Sequence, residues 1–63
     1  MTLTTVMPAS GQFTATWIYN NVVWSNTLRW ENGYLRVYNE HADEFEPTDP
    51  NNWADKSAWF ITV

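Results

Sequence analysis

Between residues 12 and 39, apolar residues recur with a period of two, as in strands that bury one face. Two dipeptides, Asn20-Asn21 and Asn32-Gly33, interrupt the pattern. Asn32-Gly33 stands between Leu28-Arg29-Trp30-Glu31 and Tyr34-Leu35-Arg36-Val37-Tyr38. Asn-Gly is the strongest short hairpin signal, because a type I′ turn needs positive φ at both central residues. With those two residues as the loop, Glu31 faces Tyr34, Trp30 faces Leu35 and Leu28 faces Val37. Leu28, Trp30, Leu35 and Val37 then share one face, and Arg29, Glu31, Tyr34 and Arg36 share the other. A slip of one residue would mix the two sets. Arg29 opposite Arg36 is unfavourable alone, and the diagonal Glu31 softens it.

Asn20-Asn21 predicts a second turn, since Asn tolerates the left-handed region. Pairing outward sets Tyr19 against Val22, Trp17 against Trp24, Ala15 against Asn26 and Phe13 against Leu28. The middle strand must serve both hairpins, and it does. Val22, Trp24, Asn26, Leu28 and Trp30 match the apolar side of both neighbours, with only Asn26 breaking it. Thr14, Thr16, Ser25 and Thr27 populate the opposite face. A three-stranded meander over 12–19, 22–31 and 34–39 satisfies both patterns.

The flanks are less regular. Asp49-Pro50-Asn51-Asn52-Trp53-Ala54-Asp55-Lys56 opens with an N-cap residue and Pro at the first helical position, so a helix of one or two turns is expected. Ala58–Val63 is rich in β-formers and reads as a closing strand. Leu3–Val6 reads as a further edge strand, cut off by Pro8 and a Ser10-Gly11 turn, and whether it lies beside 58–63 is left open. Residues 40–48 are expected to be loop or a frayed helical turn, with Phe45 and Trp53 tacking the segment to the sheet. The expected fold is mainly β, with α+β as the alternative. It is an antiparallel sheet of four or five strands built on the meander, with one or two short helices, in one domain spanning 1–63.

Composition adds a constraint and a charge map. A chain of 63 residues without Cys has neither a disulfide staple nor a thiolate metal site. Its aromatic residues, five of them Trp, must supply the core instead. Trp17, Trp24 and Trp30 fall on the expected apolar face and are assigned to packing, while Trp53 and Trp59 are undetermined. No basic n-region with an apolar h-region opens the chain, and no run reaches the roughly 18 apolar residues of a spanning helix. A soluble, monomeric protein of the cytoplasm is expected, with no membrane partner. The formal net charge is −4, but it is unevenly placed. Residues 1–39 hold only Arg29, Glu31 and Arg36. Residues 40–63 hold Glu40, Asp43, Glu44, Glu46, Asp49 and Asp55 against Lys56, a net charge of −5 against the +1 of the first part.

Those six acids are the candidate partner-binding set. As a charge run they read as a solvated, solubilising face. As a functional surface, spaced carboxylates on a rigid frame imitate a phosphate backbone and are steered to a positively charged groove. Reversing Asp43, Glu44 and Glu46 to Lys is then expected to abolish binding with stability nearly unchanged. Glu40, His41, Asp43 and Glu44 also gather possible metal ligands, but their spacing matches neither a zinc motif nor a calcium loop. No Gly-rich phosphate loop, nucleophile elbow or Ser-His-Asp arrangement is present, so no catalytic residue, metal or cofactor is assigned, and the chain is not read as an enzyme. Direct nucleic-acid binding is disfavoured by the sign of the charge. Arg29, Arg36, Tyr34 and Tyr38 form a basic-aromatic group on the second sheet face, read as an exposed, salt-bridged surface.

The acidic stretch Glu40-His41-Ala42-Asp43-Glu44-Phe45-Glu46 with Asp49 and Asp55, set on a Trp-rich, Cys-free sheet, resembles the small phage-encoded type I anti-CRISPR inhibitors in overall character. That resemblance implies stoichiometric binding to a Cascade-type effector complex in a bacterial host, blocking target DNA at a Lys/Arg-lined groove. Two other classes stay open. One is a carbohydrate or small-ligand module using exposed Trp. The other is a structural or assembly protein of a phage.

Overall fold

A computed structural model describes residues 1–62. The final residue of the expected closing strand, Val63, lies outside the described residues. The chain forms β1 (Thr2–Thr4), β2 (Gln12–Tyr19), β3 (Val22–Glu31), β4 (Tyr34–Asn39), β5 (Glu44–Pro47), α1 (Pro50–Lys56) and β6 (Trp59–Thr62). All strands belong to one antiparallel sheet in the order β1-β6-β2-β3-β4-β5. The class is mainly β, and the three meander strands lie where the alternation places them.

Both turns form as their sequences require. Asn20 and Asn21 have φ of 53° and 62°, and Asn32 and Gly33 have φ of 53° and 82°, the positive pairs of a two-residue hairpin loop. The resulting registers include Trp17 opposite Trp24, Phe13 opposite Leu28, and Leu28 opposite Val37. Leu28 therefore sits between two apolar neighbours and is fully buried.

One face of the sheet carries the core. Phe13, Ala15, Leu28, Leu35 and Phe60 are buried with Trp53 of α1, and Met7, Trp17, Trp30 and Val37 pack around them. Phe13 and Phe60 meet edge to face with centroids 5.9 Å apart, and Trp17 and Trp53 do so at 5.7 Å. The Trp30 indole N–H donates to the Pro8 carbonyl at 2.8 Å, tying the β1–β2 connection over the same face. Asp49 caps α1 by accepting from the Asn51 amide at 2.9 Å, and Pro50 opens the helix. Lys56 lies 5.1 Å from the ring centroids of both Trp17 and Trp53. It closes the helix at the carbonyl end, where a cation is favoured. The helix carries the chain back across the sheet, so that β6 enters between β1 and β2.

Two details depart from the sequence-based expectation, and one question left open is answered. The sheet has six strands where four or five were expected, because part of the acidic segment is not a loop but β5, paired to β4 from Arg36–Pro47 to Asn39–Glu44. Glu-Phe-Glu-Pro offers a single apolar residue to a pattern search. Its strand is secured by Phe45 against Tyr38, centroids 5.3 Å apart, and by Glu46 accepting from Asn39. Trp24 lies on the core face but is 49% exposed, since α1 reaches only as far as Trp17. The terminal strands, left open above, are settled: β1 lies at the sheet edge against β6, with Leu3 opposite Ile61.

Candidate functional site

The β4–β5 turn, with Glu40, Asp43 and Glu44, occupies the end of the sheet where the β2–β3 turn also lies, whereas Glu46 is set back opposite Val37 and Asp49 follows Thr48, whose amide donates to the Leu35 carbonyl toward the other end. Antiparallel alternation fixes this: successive turns fall at opposite ends, so the first and third connections of the meander share one. The β4–β5 turn, residues 40–43, is organised by Asn39. Its side-chain oxygen accepts from the His41 amide at 3.0 Å and the Ala42 amide at 3.4 Å, while its amide donates to Glu46 Oε1 at 2.8 Å. Asp43 closes the turn at φ 53° and accepts a hydrogen bond from the Tyr38 hydroxyl. That bond raises the Tyr38 hydroxyl pKa above its ordinary value. Desolvation and the charges of Asp43 and Glu40 act in the same direction.

The six candidate acids do not share one environment. Glu44 and Glu46 stand opposite Asn39 and Val37, on the helix-bearing side of the sheet. Asp43 turns to Tyr38, whose ring meets that of Phe45 at a 60° tilt on the open side. Asp43, Glu46 and Asp49 each use a carboxylate oxygen internally, on Tyr38, Asn39 and the helix N-terminus. Glu40, Glu44 and Asp55 are exposed and make no side-chain hydrogen bond or ion pair among the described residues. Alternation and charge counts give no sign of this division, because it depends on which strand each acid joins.

Sequence reasoning gave no indication of a cleft of about 500 Å³ beside the β4–β5 turn. The β3–β4 ladder stops at Leu28–Val37 although β4 runs on to Asn39, which pairs with β5 instead. The cleft opens in that gap. Asn26 and Thr27 form one wall, Tyr38 and Asn39 the other, with Glu40 and His41 at the mouth and Glu46 and Trp53 beneath. Asn26, the residue that breaks the apolar alternation, faces this space. That interruption is the signal that could have pointed to the cleft.

The chain's cations are elsewhere. Arg29 and Arg36 converge on Glu31, at 2.9 and 3.6 Å, and Arg29 lies 3.9 Å from the Phe45 ring centroid. The open face is salt-bridged there, as the diagonal placement of Glu31 suggested. Among the described residues no group of three His, Asp or Glu side chains is placed to hold a metal ion. No helix of the described residues is long and apolar enough to cross a membrane. The chain matches no known family model, curated protein or solved structure.

Proposed function

We propose that the chain is a stoichiometric inhibitor. Its acidic end docks on the basic, nucleic-acid-binding surface of another protein, and its carboxylates stand in for the phosphates of target DNA. The observation carrying this reading is that Glu44, Glu46, Asp49 and Asp55 are carried by a paired strand and a capped helix, with Asp43 bonded to Tyr38, rather than left on a solvated loop. Charges held on a rigid frame lose little conformational freedom on docking and steer the encounter over distance. The resemblance described above points to a Cascade-type type I CRISPR effector, in the cytoplasm of a bacterial host, as the class of partner. The action requires binding alone, without turnover, metal or cofactor.

The test is a pulldown from nuclease-rich bacterial extract at low and high salt, with duplex DNA as competitor. A salt-sensitive partner displaced by DNA is expected, and a partner indifferent to both removes the mimicry reading. Charge reversal then identifies the contact set. Asp43 and Glu46 hold the β4–β5 hairpin together, so the triple variant suggested by sequence alone would confound binding with folding. Glu40→Lys/Glu44→Lys/Asp55→Lys is the cleaner choice. It is expected to abolish capture with a melting temperature within about 4 °C of the wild type.

A small-ligand module is the second reading, favoured by the cleft over Trp53. It expects quenching of tryptophan fluorescence by a sugar panel, independent of salt.

A further inference from the structure

We propose that the outer half of the β2–β3 hairpin, from Ile18 to Trp24, is an apolar arm that inserts into a groove of the same basic partner and holds the acidic end in place. The inference rests on the proposed function for the sign of the partner's charge, and on the sheet for everything else.

β6 flanks β2 only over Phe13–Thr16, and β4 flanks β3 only over Leu28–Glu31. The β2–β3 ladder continues to Tyr19–Val22, so beyond Thr16 the hairpin projects with no strand on either side. Ile18, Tyr19, Val22, Val23 and Trp24 are each 49–66% exposed. Register places Ile18 and Val23 on the open face, and Tyr19, Val22 and Trp24 on the other. Both faces of the arm are therefore apolar, whereas lower on the same strands the open face carries Thr14, Thr16, Ser25 and Thr27. No charged residue precedes Arg29. Free sheet edges are ordinarily blunted by Lys, Pro or inward charges, and this one has none.

The arm is also stiff. Its turn is fixed by the positive φ of Asn20 and Asn21, the Trp24 indole N–H reaches the Tyr19 carbonyl at 3.4 Å, and its root is held where Trp17 meets Trp53 and Lys56. A pre-formed element bearing Trp and Tyr carries residues enriched among interface anchors, and its stiffness lowers the cost of docking.

Charge selects the occupant. The arm and the β4–β5 turn lie at one end of the sheet, with the cleft between them, so an apolar centre has an acidic rim. A second copy docked arm to arm would bring two acidic β4–β5 turns, each with Glu40, Asp43 and Glu44, together, and an anionic membrane would meet the same acids. A basic protein surface with an apolar groove satisfies both parts.

The test places a photocrosslinking benzoyl-phenylalanine at Val23 or, as a control at the opposite end, at Tyr34. Bacterial extract is irradiated, and the captured protein is identified, purified and returned to the unlabelled chain for kinetics. Capture at Val23 and not Tyr34 is expected. Val22→Ser/Val23→Ser, at exposed sites that leave the fold intact, is expected to speed dissociation at least about 10-fold with association little changed. Four results would each overturn the proposal: capture that is absent or equal at both positions, a double variant that dissociates like the wild type, crosslinking of the chain to itself, or flotation with phosphatidylcholine vesicles. A partner captured at Val23 but indifferent to salt and DNA sinks the mimicry reading alone. A salt-sensitive, DNA-displaced partner that never crosslinks at Val23 sinks the arm alone.

Discussion

The two halves of the β2–β3 hairpin share one ladder, yet only the lower half is buried. Below Thr16, Phe13 and Ala15 meet Phe60 of β6, while Leu28 meets Val37 of β4, and the helix closes over them through Trp53. Above Thr16 the same two strands carry Ile18, Val22, Val23 and Trp24 into solvent. The difference teaches that an apolar stripe specifies a register, whereas neighbours decide whether it becomes core. Here the cover is short, with β6 pairing β2 only over Phe13–Thr16, β4 pairing β3 only over Leu28–Glu31, and α1 seven residues long, so half of the long hairpin is left without cover.

The largest test of that contrast compares Phe60→Ala with Val23→Ala. Removing the buried Phe60 ring is expected to cost about 3–5 kcal/mol, enough to unfold much of so small a domain. The exposed Val23 is expected to change stability by under about 0.5 kcal/mol. Urea titration followed by tryptophan fluorescence reads both, and equal losses would break the contrast. Trp53→Ala sharpens it, since this ring is both the helix anchor and a hydrogen-bond donor to Thr48 at 2.9 Å. A loss of about 3 kcal/mol or more is expected, with the outer hairpin's amide exchange rates rising least because α1 touches only its root. Asp49→Ala removes the cap of α1 and is expected to cost about 1 kcal/mol. A loss near zero would mean that the helix is held by Trp53 alone.

Much of this architecture was legible because local rules agree with one another. Asn32-Gly33 and Asn20-Asn21 each fix a turn, and a middle strand that serves both hairpins leaves one register. Asp49-Pro50 marks the helix start for an equally local reason. β5 was not legible, because its stability lies in cross-strand contacts, Phe45 with Tyr38 and Glu46 with Asn39, which a run of alternating Glu conceals. Trp24 was assigned to the core by the same alternation that correctly places Leu28, since pattern cannot report the length of the covering helix. For the site, sequence located the acids but not their division into internally bonded Asp43, Glu46 and Asp49 and outward Glu40, Glu44 and Asp55. That division follows from tertiary pairing.

The smallest expected effect concerns the β4–β5 turn. Tyr38 must keep its proton to donate to Asp43, and its pKa in the folded chain is raised above the ordinary 10.0. A folded value above the unfolded one means that the contact stabilises fully below the unfolded value and is lost as pH rises through the folded one. Melting followed from pH 8 upward is expected to show an alkaline decline that Tyr38→Phe removes. An unchanged decline would place its origin elsewhere.

The central claim is that the acidic end is a docking surface. It is tested most directly by the association rate of the captured partner across a salt series, for the wild type and for Glu40→Lys/Glu44→Lys/Asp55→Lys. The wild-type rate is expected to fall steeply as ionic strength rises, and the variant's to be slow and nearly flat. A folded variant that associates as fast as the wild type, with the same salt dependence, would contradict it.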